Sequence, residues 1–358
     1  MPPAGQIYKS LIYASAAARV PVAVMCNLTF RCPLSCGHCY VARVGRASEE
    51  LTLREYKDLF GQLATAGTLF LTLSGGEVLS RGDFLDILAA ARERHFAVRV
   101  FTSGVGLDEA MAAALSRLHP VAVELSLHAA TPELHDAFVG REGVWENAVA
   151  AARRLRALGV NVVLKLNAMN FNYDQVRPVF ELARSMGADF RHTPIISVTN
   201  DGGTAPARLR MTDEQLREYY GTVKSWLGKR PDDDGADLCD EEAAARFRPN
   251  RYALSCMAAF NNCAINPYGT VWPCVSLPFD LGNVREKPLA EIWAGEEAER
   301  VRAYAKVIVA ECEDCELDRY CFRCAATAVL EDGDITKAAR EYCRVARAAK
   351  ETLDFPLR

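Results

Sequence analysis

From residue 23 to about residue 226, short runs of β-branched and aliphatic residues alternate with helix-like segments. That patterning belongs to a parallel α/β architecture, in which a crossover helix follows each strand. Candidate strands cover residues 23–28, 68–74, 97–102, 122–126, 161–167 and 190–195. The clearest helix spans residues 145–158, where Ala148, Val149, Ala152 and Leu155 recur on one face and Gly159 supplies a C-terminal stop. Six such units predict an α/β fold built as a partial (β/α)6, TIM-like barrel, open on one side.

In parallel barrels the reactive groups gather at the C-terminal ends of the strands. Four polar or glycine-rich loops are expected there, facing one mouth. A loop with Cys32, Cys36 and Cys39 follows the first candidate strand, and Ser74-Gly75-Gly76-Glu77 ends the second. Thr102-Ser103-Gly104 ends the third and Ser126-Leu127-His128 the fourth.

Composition narrows the class. Apolar residues make up 50% of the 358, charged residues 25%, and the formal net charge is −4, without the basic excess of a general nucleic-acid binder. No apolar run reaches the roughly 18 residues of a membrane span. The patch around residues 11–18 is interrupted by Tyr13 and Ser15 and reads as a short surface helix, not a signal peptide. A cytoplasmic location is the expectation. An odd count of 13 cysteines, in a chain this long with no export signal, argues against a disulfide scaffold and for thiolates that hold metal.

The expected organisation is an N-terminal helix or extension over residues 1–19, a barrel over 20–227, a linker over 228–251 and a cysteine-rich unit over 252–350. The linker is placed at the acidic break Pro231-Asp-Asp-Asp-Gly235, which is read as a solvated loop.

The loop Cys32-Pro-Leu-Ser-Cys36-Gly-His-Cys39 carries the sharpest chemistry. A [4Fe–4S] cluster normally takes four thiolates. Three would leave one iron open to a reacting ligand, as a catalytic zinc keeps one position open. With the glycine-rich loop one βα unit later and six such units in all, residues 20–226 resemble the core of the radical S-adenosylmethionine (SAM) superfamily.

The resemblance implies that the open iron chelates the amino and carboxylate groups of SAM. An electron from the cluster then splits the sulfonium to a 5′-deoxyadenosyl radical that abstracts a substrate hydrogen. Gly75, Gly76 and Glu77 fit the family's motif for the methionine amino group. Ser126 and Asn167 stand where relatives place polar contacts to SAM, and Thr102 and Ser103 offer hydroxyls; each could equally cap its own loop. Many relatives carry Asp where this chain has His128, which leaves His128 as either a substrate group or a loop histidine.

The C-terminal cysteines resemble the SPASM extension over residues 252–347, with its Gly-x4-Cys element at Gly269 and Cys274. Cys312-Glu-Asp-Cys315 and the five-residue gap to Cys321 match; the gap to Cys324 is two residues where many members have three. Carried over, the family's crossed arrangement assigns Cys256, Cys263, Cys274 and Cys324 to a nearer auxiliary [4Fe–4S] cluster. Cys312, Cys315, Cys321 and Cys343 go to an outer one. That makes three clusters, with Cys26 in the core and Cys239 as an exposed thiol. Without Cys263, the nearer cluster would have an open iron. Zinc is the rival occupant of such Cys-x2-Cys pairs. Leu289, Ile292 and Trp293 form one apolar helical face after Gly282-Asn283-Val284 and are read as packing.

SPASM-bearing enzymes mostly modify peptides, so the implied function is oxidative maturation of a ribosomally made peptide, by crosslink, thioether or decarboxylation. Only 31 residues precede Cys32, so a leader peptide would need a separate binding protein or the enzyme's own surface. A flavodoxin- or ferredoxin-type donor is expected, and neither a nucleic-acid nor a membrane partner. The alternatives are oxidation of a small molecule such as a tetrapyrrole side chain, sulfatase maturation, and non-catalytic electron transfer. Sulfatase maturases carry Asp after the Gly-x4-Cys cysteine; here Val275 follows Cys274.

Overall fold

The computed structural model describes residues 4–41, 49–227 and 251–357. The acidic break and Cys239, and with them nearly all of the expected linker, lie outside the described residues. Six parallel strands form the barrel wall: β1 Ala23–Asn27, β2 Phe70–Ser74, β3 Ala97–Thr102, β4 Ala122–Ser126, β5 Val162–Asn167 and β6 Asp189–Thr193. They lie in sequential order, each paired with the next, which leaves the barrel unclosed beyond β6. The partial barrel expected from the patterning is the observed architecture.

Alternation along the strands sorts their two faces. Val24, Cys26, Leu71, Leu73, Val98, Val100, Val123, Leu125, Leu164 and Leu166 belong to one buried core, together with apolar residues of the crossover helices. Helices α2 (Leu53–Thr65), α3 (Phe84–Glu93) and α4 (Glu109–Arg117) follow the first three strands. α2 is opened by a reciprocal cap, in which Glu55 N donates to the Thr52 hydroxyl and Thr52 N to the Glu55 carboxylate. The second helix after β4, Val144–Ala157, buries Ala148, Val149, Ala151, Ala152 and Leu155, and the chain leaves it through Gly159 at φ 77°. The inward face is polar: Arg99, Lys165 and Arg191 surround the buried Glu124 at 3.5, 3.3 and 3.7 Å.

Strand ends differ from the sequence reading where side chains intervene. β2 starts at Phe70, not 68, because the Thr68 hydroxyl donates to the Pro21 carbonyl at 2.8 Å and closes the turn after α2. β6 stops at Thr193, whose hydroxyl accepts from Ile195 N at 3.2 Å and bends the chain.

The cysteine-rich segment joins the same sheet. β7 (Asn262–Ile265) pairs in parallel with β1, and β8 (Val271–Trp272) returns antiparallel to it. Their turn is held by the Asn266 side chain, which accepts from Tyr268 N and Thr270 N, and by Gly269 at φ 91°. The helix Leu289–Ala294 buries Leu289, Ile292 and Trp293, and Leu289 N donates to Gln62 of α2 at 2.7 Å. The last helix, Arg340–Thr352, packs on Asp213–Leu227 through Arg344–Asp213 and Arg217–Glu351 pairs.

Candidate active site

The triplet loop leaves β1 and is laced to the loop after β2. Gly76 N donates to the Thr29 carbonyl at 2.6 Å and Glu77 N to the Arg31 carbonyl at 2.9 Å. Glycine is compulsory here on two counts. Gly75 adopts φ 150°, and a Cβ on Gly75 or Gly76 would stand 2.3 Å from the Thr29 or Arg31 carbonyl oxygen. The backbone that presents the three cysteines and the backbone expected to meet SAM are therefore one interlocked unit. Cys32 is exposed and Cys36 and Cys39 are half-buried, so the thiols face open space.

That space is a cavity of about 880 Å³ at the C-terminal ends of the strands. Cys32, Cys36 and Cys39, Gly75 and Gly76, Thr102 and Ser103, Ser126, His128 and Asn167 all line it. Glu77 does not. It is 1% exposed, and its carboxylate accepts from the Thr102 hydroxyl at 2.6 Å, Ser103 N at 2.7 Å, Leu79 N at 3.1 Å and the Ser103 hydroxyl. Burial raises its pKa, against the opposing pull of those four donors. Glu77 thus acts from behind the wall, clamping the second and third loops.

His128 is 3% exposed and belongs to a histidine cluster that the sequence reading did not assemble. Its ring meets that of His38 edge-on at 4.7 Å and stacks on that of His135 at 5.8 Å. Burial drives all three towards the neutral form, His38 and His135 down to about 4 and His128 well below its usual value. His128 N donates to His135 Nδ1 at 3.1 Å, which fixes the proton of His135 on Nε2. Lys165 was also missed. Its ammonium sits 3.6 Å from the centroid of the Phe101 ring, and both side chains line the cavity. Alternation from Asn167 on the same strand face was the available signal.

Tyr40, next to Cys39, is pushed well up by burial and by the thiols of Cys39 and Cys274. Tyr40 lines the same cavity as Cys39. Val275 and Ser276, which follow Cys274, also line it.

The remaining cysteines fall into groups. Cys312, Cys315, Cys321 and Cys343 line one small pocket together with Arg323. Cys274 lies in the field of Cys256 and Cys324, and Cys256 in that of Cys324. Cys263 lies within a strand, as no cysteine of the two sets does. In β7 it is in register with Val24, and it shares the helix-facing core with Val24 and Cys26, whereas Met25 on the opposite face lines the cavity. The thiol that interacts with Cys263 is that of Cys26.

Burial keeps these thiols protonated, with Cys274 and Cys321 pushed up to about 12 and Cys312 to about 11. Coordination to iron removes that penalty, because a metal-bound thiol is deprotonated. A zinc site needs four donors within about 2.3 Å of one point. Among the described residues, no three His, Cys, Asp or Glu side chains converge on a single-ion site. A cubane spreads its thiolates over separate irons, and the grouped cysteines suit it better.

Comparison with known proteins agrees. The Radical SAM superfamily model matches residues 26–184, and SPASM, an iron–sulfur cluster-binding domain, matches residues 256–325. The chain is 30% identical over 337 residues to a PqqA peptide cyclase of Ruegeria pomeroyi, covering 87% of this chain and 85% of that protein. It is 26% identical over 348 residues to an AdoMet-dependent heme synthase of Methanosarcina barkeri, covering 92% and 97%. Among solved structures, Streptococcus suis SuiB bound to its precursor peptide SuiA superposes with a TM-score of 0.68 at 17% identity, covering 92% of this chain and 78% of that one. The enzyme anSMEcpe with bound AdoMet gives 0.67 at 15%, covering 93% of each. No helix among the described residues is long and apolar enough to cross a membrane.

Proposed function

Because the chain belongs to the radical SAM superfamily and carries an iron–sulfur-binding SPASM domain, we propose that it is a peptide maturase that oxidises its substrate in the cavity between the triplet loop and Cys274. The enzyme uses SAM and iron–sulfur chemistry. When bound, a cluster on Cys32, Cys36 and Cys39 supplies the electron that cleaves SAM to a hydrogen-abstracting radical. Gly75 and Gly76 let the backbone approach the methionine end of SAM, and Thr102, Ser103, Ser126 and Asn167 offer polar contacts along the cavity. Glu77 keeps that wall in place.

Two auxiliary clusters complete the proposal, on Cys256, Cys274 and Cys324 and on Cys312, Cys315, Cys321 and Cys343. The observation that carries an oxidative reaction is the position of Val275 and Ser276. They border the same cavity as the triplet, so the nearer auxiliary centre adjoins the substrate and can accept its electron. Val275 offers no base at that border, which disfavours sulfatase maturation.

Relatives favour a peptide substrate, since a PqqA peptide cyclase is 30% identical over most of both chains. A second reading, oxidation of a tetrapyrrole side chain, is supported by the full-length similarity to a heme synthase. The charged side chains on the cavity wall, Arg31 and Lys165, are already paired with Glu50 at 3.0 Å and Glu124 at 3.3 Å and favour neither kind of substrate. The test is anaerobic incubation of the reconstituted enzyme with SAM, a flavodoxin-type or chemical reductant and candidate peptides, followed by mass spectrometry. Loss of two hydrogens indicates a crosslink and loss of carbon dioxide a decarboxylation. Modification of a tetrapyrrole but of no peptide would transfer the assignment to the second reading.

A further inference from the structure

Arg323 is 4% exposed and sits in the Cys-x2-Cys step between Cys321 and Cys324. A guanidinium carries five N–H donors in a rigid fork. Nη1 donates to the carbonyls of Ala253 at 2.7 Å and Tyr252 at 3.4 Å, and Nη2 to those of Lys337 at 2.6 Å and Ile335. These four bonds anchor the group to residues 252–253, at the start of the cysteine-rich segment, and to the loop before the last helix. The fifth donor, Nε–H, is buried and has no acceptor among the described residues. Buried donors are almost always paired, so an orphan marks a missing partner.

The surroundings identify that partner's chemistry. Arg323 lines the pocket formed by Cys312, Cys315, Cys321 and Cys343, so its buried guanidinium stands beside the four thiols that would hold the outer cluster. We propose that Arg323 donates its Nε–H to a sulfur of the outer auxiliary cluster and thereby sets that cluster's reduction potential. This rests on the reading that Cys312, Cys315, Cys321 and Cys343 hold a cluster. Hydrogen bonds to cluster sulfurs and a fixed positive charge both favour the reduced, more negative state, so Arg323 raises the potential and makes the outer cluster a better electron acceptor. Its four carbonyl anchors prevent the guanidinium from relaxing away when the cluster changes charge.

The experiment uses the full-length reconstituted enzyme with Cys32, Cys36 and Cys39 replaced by Ala, so that the triplet cluster and its neighbour Arg31 contribute no signal. With [15N]arginine incorporated, electron–nuclear double resonance on the reduced outer cluster should show a 15N coupling. The outer signal is the one that Cys312→Ala removes. Arg323→Lys, which keeps the charge but loses the fork, should abolish the coupling and move the midpoint potential of that signal to a more negative value at unchanged iron content. Full iron content with no 15N coupling, or an unshifted midpoint in Arg323→Lys, overturns the proposal. If Arg323→Lys fails to fold, the labelling result decides when taken on Arg347→Lys, which removes another arginine near Cys343: a 15N coupling that persists there supports the proposal and its absence overturns it. If instead Cys312→Ala removes neither iron nor signal, the outer cluster itself is wrongly assigned and the proposal falls with it.

Discussion

Thr102, the last residue of β3, donates its hydroxyl to Glu77 at 2.6 Å across the loop that follows β2. Ser103 N reinforces the link at 2.7 Å, and Gly76 N and Glu77 N are tied back to the Thr29 and Arg31 carbonyls. Three successive strand-end loops are thus connected at Glu77, by backbone bonds to the first and by the buried carboxylate to the third. The geometry of the cavity wall depends on a residue that the wall does not expose.

Glu77→Ala should therefore damage more than one loop. It strands two backbone N–H groups and two hydroxyls, and unsatisfied buried donors of this kind cost about 1–3 kcal/mol each at most. We expect a net loss of about 2–4 kcal/mol in stability, and at least about a tenfold weakening of SAM binding, the equivalent of about 1.4 kcal/mol. Glu77→Gln, which keeps one acceptor oxygen, should fall between. Denaturant titration and equilibrium dialysis with labelled SAM provide the readings. Unchanged affinity in Glu77→Ala would remove the clamp from the account.

Gly76→Ala makes a complementary prediction about sterics. The new Cβ would be pressed to 2.3 Å from the Arg31 carbonyl oxygen, forcing the triplet loop and the glycine loop apart. Overpacking of this type costs about 1–3 kcal/mol, and the iron content attributable to the triplet should fall with it. Gly82 is the control, because a Cβ there meets nothing within 4 Å among the described residues and it has no positive φ. Gly82→Ala should change stability by no more than about 0.5 kcal/mol. Equal effects of the two substitutions would contradict the interlocked-loop reading.

The strands and their loops were legible in the sequence because the barrel imposes two strict periods, alternation in the strands and a helical repeat in the crossovers. β3 and β4 were read to their ends, and the helix Val144–Ala157 to within one residue. Three things were not legible. Alternation read for Cys263 alone does not say which sheet it enters, and β7 adds to β1 only through tertiary pairing. The direction in which Glu77 points depends on Thr102 and Ser103, 25 and 26 residues away. The histidine cluster joins His38 and His128, in loops, to His135 in the helix Pro132–Val139, and no single motif brings them together.

The pairing of β7 with β1 sets up a test of the ligand assignment. Cys263 faces the apolar core beside Cys26, where burial pushes its thiol up to about 12 and keeps it protonated. Cys263→Ala should retain the iron content and the reduced-cluster spectra of the parent, with a stability loss of about 1–2 kcal/mol from the small cavity. Cys274→Ala should lose the nearer auxiliary signal. Cys239→Ala belongs in the same series as a check on the residues between the two units. Loss of the nearer signal in Cys263→Ala would restore the four-cysteine set expected from the family pattern.

His135 gives stability a pH dependence with a defined sign. Its pKa is lowered to about 4 in the folded protein, first by burial, whereas an unfolded histidine titrates near 6.5. Between those values the unfolded chain binds a proton that the folded one refuses. The neutral-form stabilisation is complete above about pH 6.5 and is lost as the pH falls towards 4. For this 1%-exposed side chain the loss is of order 2 kcal/mol across the window. His135→Asn keeps an oxygen to accept the His128 N–H and cannot titrate. Its denaturation midpoint, measured anaerobically on the reconstituted enzyme, should change less between pH 7 and pH 5 than that of the parent. If the two proteins lose stability in parallel over that interval, the buried neutral imidazole is not the titrating group.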